Sequence, residues 1–371
     1  MKVIFCGTYM PLELARKLKY SSEAALKFQR NLLHEFKKEN SVEVLSYIPY
    51  NDEIINSLEE NNIVEEVTVN YIKKIDHKNY FNLLIAYFKR LNLLLKNKEA
   101  VLLYNYNYIN LFTVYLAKRN KVKAFLILAD HDNYKSQKNI LKKILIKLYE
   151  HNIKKFDGVI FLSDFLSKEI YTKNKLKIEG GIQIDKYLNL SKPTIKDSTI
   201  KIMYSGSLEK VSGIDMYIEA IKKINLTNIE FVFTGKGDLV DQIIAQSDSR
   251  IKYKGMVSEK EYYKLLEEAN ILVNSKNMNL LENKNNFPSK ILEYIASGRT
   301  IISTKFSGKE KFDENIVFTE SNSSDLACNI INVVNNYERS YMDYYKLNIN
   351  KANEFTWQKQ VKKINNFIKS I

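Results

Sequence analysis

Cysteine, proline, glycine and tryptophan are all scarce in this chain of 371 residues, and several of these scarcities exclude a class of protein. The two cysteines, Cys6 and Cys328, stand far apart in sequence. They make neither a disulfide framework nor a zinc ligand set, so a reducing compartment is expected. There is no long hydrophobic run. The longest apolar stretches, such as Phe81 to Phe88, are far too short to span a bilayer. The opening, Met1 to Gly7, has one basic residue and then turns apolar with no small-residue cleavage site behind it. It reads as a buried strand and not as a signal peptide. No short repeat and no low-complexity tract interrupts the sequence.

What is present is a globular composition, 45% hydrophobic and 27% charged, over a length that suits two domains. The formal charge is +14, a statement about partners and not about fold. Nucleic acid, an anionic membrane surface and a phosphorylated small molecule would each answer to it. The lysines form no compact basic motif and no nucleic-acid module is present, so nucleic acid is set aside. Two segments mix lysine with leucine, isoleucine and aromatics at helical spacing: Tyr87 to Lys96, and Leu141 to Tyr149 followed by Lys154 and Lys155. Two readings of them stay open. One is an ordinary domain helix with a solvated lysine face. The other is a basic amphipathic helix suited to anionic lipid.

The first half alternates short apolar runs with longer helical patterns. Strands are expected at Lys2–Cys6, Val42–Tyr47, Val101–Tyr104, Val122–Ala129 and Val159–Leu162. Helices are expected over about 21–36, 79–96 and 110–118, and a basic helix is expected to follow the strand at Val122–Ala129 and to end at Lys155. The second half repeats the rhythm, with strands at Ile202–Tyr204, Glu230–Phe233, Ile251–Lys254, Ile271–Val273 and Thr300–Ser303. Strands alternating with helices imply βαβ units and parallel sheets. Tyr187 to Lys201 lacks periodicity and contains Ser191, Pro193 and Thr194, so it reads as a linker. The expected fold class is α/β, with two Rossmann-like domains facing across a cleft: 1–188 together with a final helix at 357–371, and 200–356. Ligands in such sheets sit outside the carboxyl ends of the strands.

Seven of the eleven glycines fall at 206, 213, 235, 237, 255, 298 and 308, mostly just after an expected strand or helix. The most informative segment runs from Asn285 to Gly298. Pro288 suits the first turn of a helix and Gly298 the residue beyond its end. Ile291, Leu292 and Ile295 make a buried face, while Ser289, Glu293 and Ser297 share the opposite one. The free N–H groups at the helix start, with Lys290 beside them, suit an anion. Glu293, one turn on, suits the hydroxyls of a ribose. The plainer reading is a surface helix carrying a Lys290–Glu293 pair.

This segment, Phe287-Pro288-Ser289-Lys290-Ile291-Leu292-Glu293-Tyr294-Ile295-Ala296-Ser297-Gly298, resembles the signature of the retaining, GT-B-fold nucleotide-sugar glycosyltransferases of family four, in the form found in bacterial capsule and exopolysaccharide enzymes. Other stretches resemble that family in the same order: Tyr204 to Leu208 with Gly213 to Asp215, Phe233 to Gly237, Gly255 to Val257 with Ala269 to Ser275, Ile178 to Ile182, and Phe355 to Trp357 before the last helix. The similarity is densest from Ile202 to Thr304.

The resemblance implies site residues. Glu293 would hold the donor ribose. The backbone of Phe287, Pro288, Ser289 and Lys290 would hold the diphosphate, with Gly206, Ser207, Lys210 and Gly237 lining the donor loops. Gly235 and Val257 would lie by the base. His131, within Asp130-His131-Asp132, matches the first-domain histidine that faces the donor sugar. The pair Asp130 and Asp132 also suits a magnesium ion on a diphosphate, as in the other large transferase fold, which has a single-domain plan. Three positions depart from the family pattern. Asn285 stands where a first glutamate is usual, with Glu282 nearby, and Ser207 and Ser212 stand where arginine and lysine are common. Lys210 lies between those two.

The implied activity is transfer of a sugar from a nucleotide-diphosphate donor, a UDP-sugar being favoured, to a glycan or lipid-linked glycan, with neither cofactor nor metal and the leaving diphosphate taking the acceptor's proton. The implied place is the cytoplasm, with peripheral attachment to the inner face of the membrane through the basic helices. The departures at 207, 212 and 285 favour a second reading, a catalytically weak subunit of this fold that stabilises an active transferase.

Overall fold

The computed structural model describes residues 1–18, 23–48, 58–59, 61–74, 80–130, 139–194, 199–284 and 287–371. The chain forms two compact units, Met1–Gly181 with Trp357–Ile371, and Ile182–Thr356.

The first unit is built on an eight-stranded sheet of β1 (Lys2–Gly7), β2 (Ser41–Ile48), β3 (Asn61–Val64), β4 (Val67–Lys73), β5 (Ala100–Tyr104), β6 (Lys123–Leu128), β7 (Gly158–Phe161) and β8 (Lys175–Lys177), in the order β3-β4-β2-β1-β5-β6-β7-β8. All neighbours are parallel except β3 and β4. Its helices are α1 (Leu12–Lys17), α2 (Glu23–Phe36), α3 (Tyr80–Leu94), α4 (Thr113–Arg119), α5 (Ile140–Ile153) and α6 (Asp164–Glu169). The central strands are apolar throughout because both faces are covered. In β1, Val3 and Phe5 enter one core while Ile4 and Cys6 enter the other.

The β3–β4 hairpin was not readable from the sequence. Its turn residues, Glu65 and Glu66, adopt φ of 50° and 63° without being glycine or asparagine. Arg30 of α2 and Lys37, just beyond its end, hold them there. Arg30 pairs with the Glu65 carboxylate, and Lys37 reaches the Glu65 carbonyl at 2.7 Å and the Glu66 carboxylate at 2.6 Å.

The second unit has an all-parallel six-stranded sheet of β9 (Ile200–Ser205), β10 (Ile229–Thr234), β11 (Ile251–Tyr253), β12 (Ile271–Asn274), β13 (Thr300–Thr304) and β14 (Val317–Thr319), ordered β11-β10-β9-β12-β13-β14. Its helices are α7 (Ile214–Lys222), α8 (Val240–Ile244), α9 (Glu259–Glu268), α10 (Leu281–Lys284), α11 (Lys290–Ala296), α12 (Ser323–Asn335) and α13 (Tyr337–Ala352). The stretch read as a linker belongs largely to this unit, which begins at Ile182 and not near 200. Tyr187 explains the difference: it is buried in the same core as Met203 and Leu266, and its ring meets Tyr263 edge-on at 5.5 Å.

The last helix, α14 (Trp357–Ser370), returns to the first unit and packs on α2. Trp357 is buried, meets Phe28 edge-on at 5.0 Å, and lies so close to Gly181 that any side chain there would strike the indole. Asn365 accepts a hydrogen bond from Asn40 at 3.0 Å. Among the described residues no helix is long and apolar enough to cross a membrane.

Truncating a buried tryptophan costs about 3–5 kcal/mol. Trp357→Ala is therefore expected to shift the denaturation midpoint far more than Leu188→Ala, which removes an exposed side chain. Equal shifts would show that α14 is not anchored by this ring.

Candidate functional site

In the second sheet the chain leaves β9 towards β10 on one side and returns to β12 on the other. The strand order reverses between β9 and β12, and ligands bind in the crevice that such a reversal opens at the carboxyl ends of the strands. A cavity of about 160 Å³ lies there. Tyr204 and Ser207 line it from the end of β9, Asn274 and Lys276 from the end of β12, and Phe287 to Lys290 from the start of α11.

Lys290 is the centre of this cavity's electrostatics. Its ammonium donates to the carbonyl of Ser205 and lies 5.0 Å from the centre of the Tyr204 ring. It occupies the space a side chain at position 206 would fill, and Gly206 has φ of 133°. Gly235, at φ 134°, lies against the Gly206 carbonyl, so a Cβ there would collide with backbone. Glycine at both positions lets two loops and a lysine meet at one point. Burial pushes the Lys290 ammonium down to about 8; Glu293 partly opposes this and Lys276 adds to it. An unfolded lysine keeps its proton to about 10.5. The folded chain therefore carries the cost of this buried charge below pH 8 and sheds it as the pH rises towards 10.5. An anion in the cavity would favour the charged form.

Glu293 lies three residues on. Its carboxylate accepts a hydrogen bond from Tyr262 of α9 at 3.0 Å. Burial, and then the Glu293 charge, hold the Tyr262 hydroxyl well above its usual range, so it remains a donor. Tyr294, fully buried, receives the Ser205 N–H at 3.3 Å and pairs with the Ser205 hydroxyl at 3.2 Å. The end of β9 is thereby fixed to α11 by Tyr294 from one residue and by Lys290 from another.

Residues 199–336 match the family described as glycosyl transferases group 1. The matched segment spans β9 to β14 and α7 to α12 and contains the whole cavity. Among curated proteins no sequence matches the chain. Solved structures do match along its full length. The Anabaena protein HepE in complex with UDP superposes with a TM-score of 0.75 at 12% identity, all of both chains being covered. A glycosyltransferase from Rickettsia africae superposes at 0.74 with 14% identity, covering 100% of this chain and 98% of that one. The apo lipopolysaccharide outer core galactosyltransferase WaaB superposes at 0.68 with 14% identity, covering 100% and 99%. These likenesses establish the fold as α/β of the GT-B class.

Within the segment that matches this family, the structure brings together Gly206, Ser207, Phe287, Pro288, Ser289 and Lys290 around the cavity and sets Glu293 one turn behind. Other expected residues lie elsewhere. Val257 lines a separate cavity of about 270 Å³ between α9 and the sheet, with Met203, Val232 and Leu265. Gly237 packs against the backbone of Leu208 and does not line the Lys290 cavity. Lys210 is exposed in a short 3₁₀ turn and does not line it either. The face shared by Ser289, Glu293 and Ser297 is a surface only at its start: Ser289 is exposed, whereas Ser297 is buried and donates to the Tyr294 carbonyl at 2.7 Å. Asn285, His131 and Asp132, and the side chain of Glu282, lie outside the described residues. Asp130 is described, its N–H bonded to the Asn105 side chain at 3.2 Å. Among the described residues no group of three His, Cys, Asp or Glu is placed to hold a metal ion.

Lys276, Tyr262 and Tyr294 were missed. Lys276 follows the carboxyl end of β12, the position where such folds place ligand contacts, and that signal was available. Tyr262 and Tyr294 read as helix-core aromatics, which they also are.

Gly235→Ala should lower stability by about 1–3 kcal/mol from its backbone angle alone, with the collision at Gly206 added. Thermal melting measures this, and an unchanged melting temperature would mean that the two loops do not meet as described.

Proposed function

We propose that this chain is a glycosyltransferase that moves a sugar from a nucleoside-diphosphate donor to a glycan acceptor. The observation that carries the reading is the half-buried Lys290 ammonium, set at the strand-order reversal of the second sheet and facing a cavity that a second cation, Lys276, also lines. A diphosphate is the charge such a pair would compensate. The family match of 199–336 supports the reaction class. HepE, a similar structure, has been solved with UDP and with UDP-glucose, which supports a uridine donor.

We further infer a retaining course without a metal ion. The bond from the sugar's anomeric carbon to the diphosphate breaks, the acceptor oxygen bonds to that carbon on the same face, and the departing diphosphate oxygen takes the acceptor's proton. The protein's part is to position the groups and to stabilise charge growing on the diphosphate. Lys290 and Lys276 supply that charge, and Glu293, held by Tyr262, receives the ribose hydroxyls. Lys276 offsets the missing cations at Ser207 and Ser212. The acceptor is a lipid-linked glycan of surface polysaccharide synthesis, used at the inner face of the membrane.

The serines at 207 and 212 favour the alternative, a weakly active subunit that stabilises another transferase. Nucleotide binding decides between the two. A nucleoside diphosphate at about a hundred times its Kd should stabilise the fold by about 2.7 kcal/mol. Among a panel of nucleotides, one should raise the melting temperature of the wild type; Glu293→Ala and Lys290→Ala should abolish the rise, and Lys284→Ala should leave it. No rise with any nucleotide would put the partner-subunit reading first.

The Lys290 ammonium also sets a pH dependence. Binding should weaken as the pH climbs from 7 to 9, by up to about tenfold for one cation titrating near 8. Calorimetry on Lys290→Met should show a flat profile. An equal decline in that variant would assign the titration to another group.

A further inference from the structure

Helices α3, α4 and α5 lie side by side on one face of the first sheet. Tyr87 of α3 meets Thr113 of α4 at 3.0 Å, and Tyr115 of α4 donates to Asn152 of α5 at 2.8 Å. Their inward residues, among them Leu83, Leu91, Val114 and Ile153, fill the core beneath. Their outward residues are unusual. On α5, Ile140, Leu141, Ile144 and Leu148 are 73%, 71%, 51% and 42% exposed. At 100° per residue these four fall within one arc, roughly opposite Ile146 and Ile153, which face the protein. The helix thus has two apolar sides, and among the described residues only one of them is covered. On α3, Phe81, Phe88 and Leu93 are also exposed, and Phe112 and Tyr115 continue the surface across α4. Exposed apolar area of this extent marks an interaction surface and not the scatter normal on a monomer.

Charge identifies the occupant. Helices α3, α4 and α5 contain seven lysines and arginines against one acidic residue, Glu150. Arg90 turns inward to the Asn70 side chain at 2.7 Å, whereas Lys89 of α3 and Lys147 of α5 are exposed beside the apolar residues. Lys155 lies 4.4 Å from the centre of the Tyr115 ring. This helical layer presents apolar side chains with lysines among them. It suits the boundary of an anionic bilayer, where apolar side chains enter the acyl region and ammonium groups meet phosphate.

We propose that the outer faces of α3, α4 and α5 dock this protein onto an anionic lipid surface. The docking face does not rest on the donor reading, because vesicle binding involves no nucleotide sugar, so either can fail alone.

The test is cosedimentation of the full chain with phosphatidylglycerol–phosphatidylethanolamine vesicles and with phosphatidylcholine vesicles. Binding to the anionic vesicles should exceed binding to the neutral ones by at least about tenfold. Ile144→Gln with Leu148→Gln, and separately Lys89→Gln with Lys147→Gln, should each reduce the bound fraction about fivefold or more. These side chains are largely outside the core, so the melting temperature should hold. Ile244→Gln, which alters an exposed isoleucine of the second unit, should bind as the wild type. Equal binding to neutral vesicles, full binding by both double variants, or no vesicle binding together with a dimer that the Ile144/Leu148 variant dissociates, would each overturn the proposal.

Discussion

The second unit depends on one placement: an ammonium group lodged where the backbone has no side chain. Lys290 reaches across to the Ser205 carbonyl only because position 206 is glycine, and Gly206 can lie there only because Gly235 lets the neighbouring loop close against it. Much else is arranged around this point. Helix α11 is buried on most of its circumference, by Ile291, Leu292, Tyr294 and Ile295, so its start cannot drift from the sheet. Tyr294 adds a second tie from α11 to Ser205, and Tyr262 sets the Glu293 carboxylate from the neighbouring helix. A lysine whose proton is loosened by burial is a poor structural element by itself, and its position is best explained by an anion it is kept ready to meet.

Much of this was legible in the sequence. The parallel sheets followed from apolar runs alternating with helical patterns, since strands covered on both faces have no polar side to alternate with. The helix from Pro288 to Gly298 was marked at both ends, and Gly298 does take φ of 70° just past it. Other features were hidden for physical reasons. The β3–β4 turn uses glutamates at positive φ, held by distant cations on α2 and just beyond its end, and no local pattern announces that. Burial of Ser297 could not be read from spacing, because a helix packed on nearly all sides has no polar face to predict. The placement of Val257 in a cavity of its own, away from Lys290, depends on how α9 settles on the sheet. Tyr187 reads as part of an irregular stretch until the core that receives it is seen.

The two units use their surfaces differently. In the second, polar side chains converge on the strand ends, and two lysines share one cavity. In the first, the strand ends carry a tether, the Asn105 side chain bonded to the N–H groups of Ala129 and Asp130 at 2.8 and 3.2 Å, while the helical layer turns apolar and basic side chains outward. Such an outward layer is costly in solution and calls for a partner surface. A transferase acting on lipid-linked glycan would have use for both: a rigid anion site in one unit and a surface that keeps the other beside the bilayer.

A crystal structure of the full chain with uridine diphosphate tests the central claim most directly. The expected result is a diphosphate within hydrogen-bonding distance of the Lys290 ammonium and the start of α11, with the ribose hydroxyls on Glu293. A nucleotide found in the cavity between α9 and the sheet, or an empty site at saturating nucleotide with Lys290 still bound to Ser205, would contradict it.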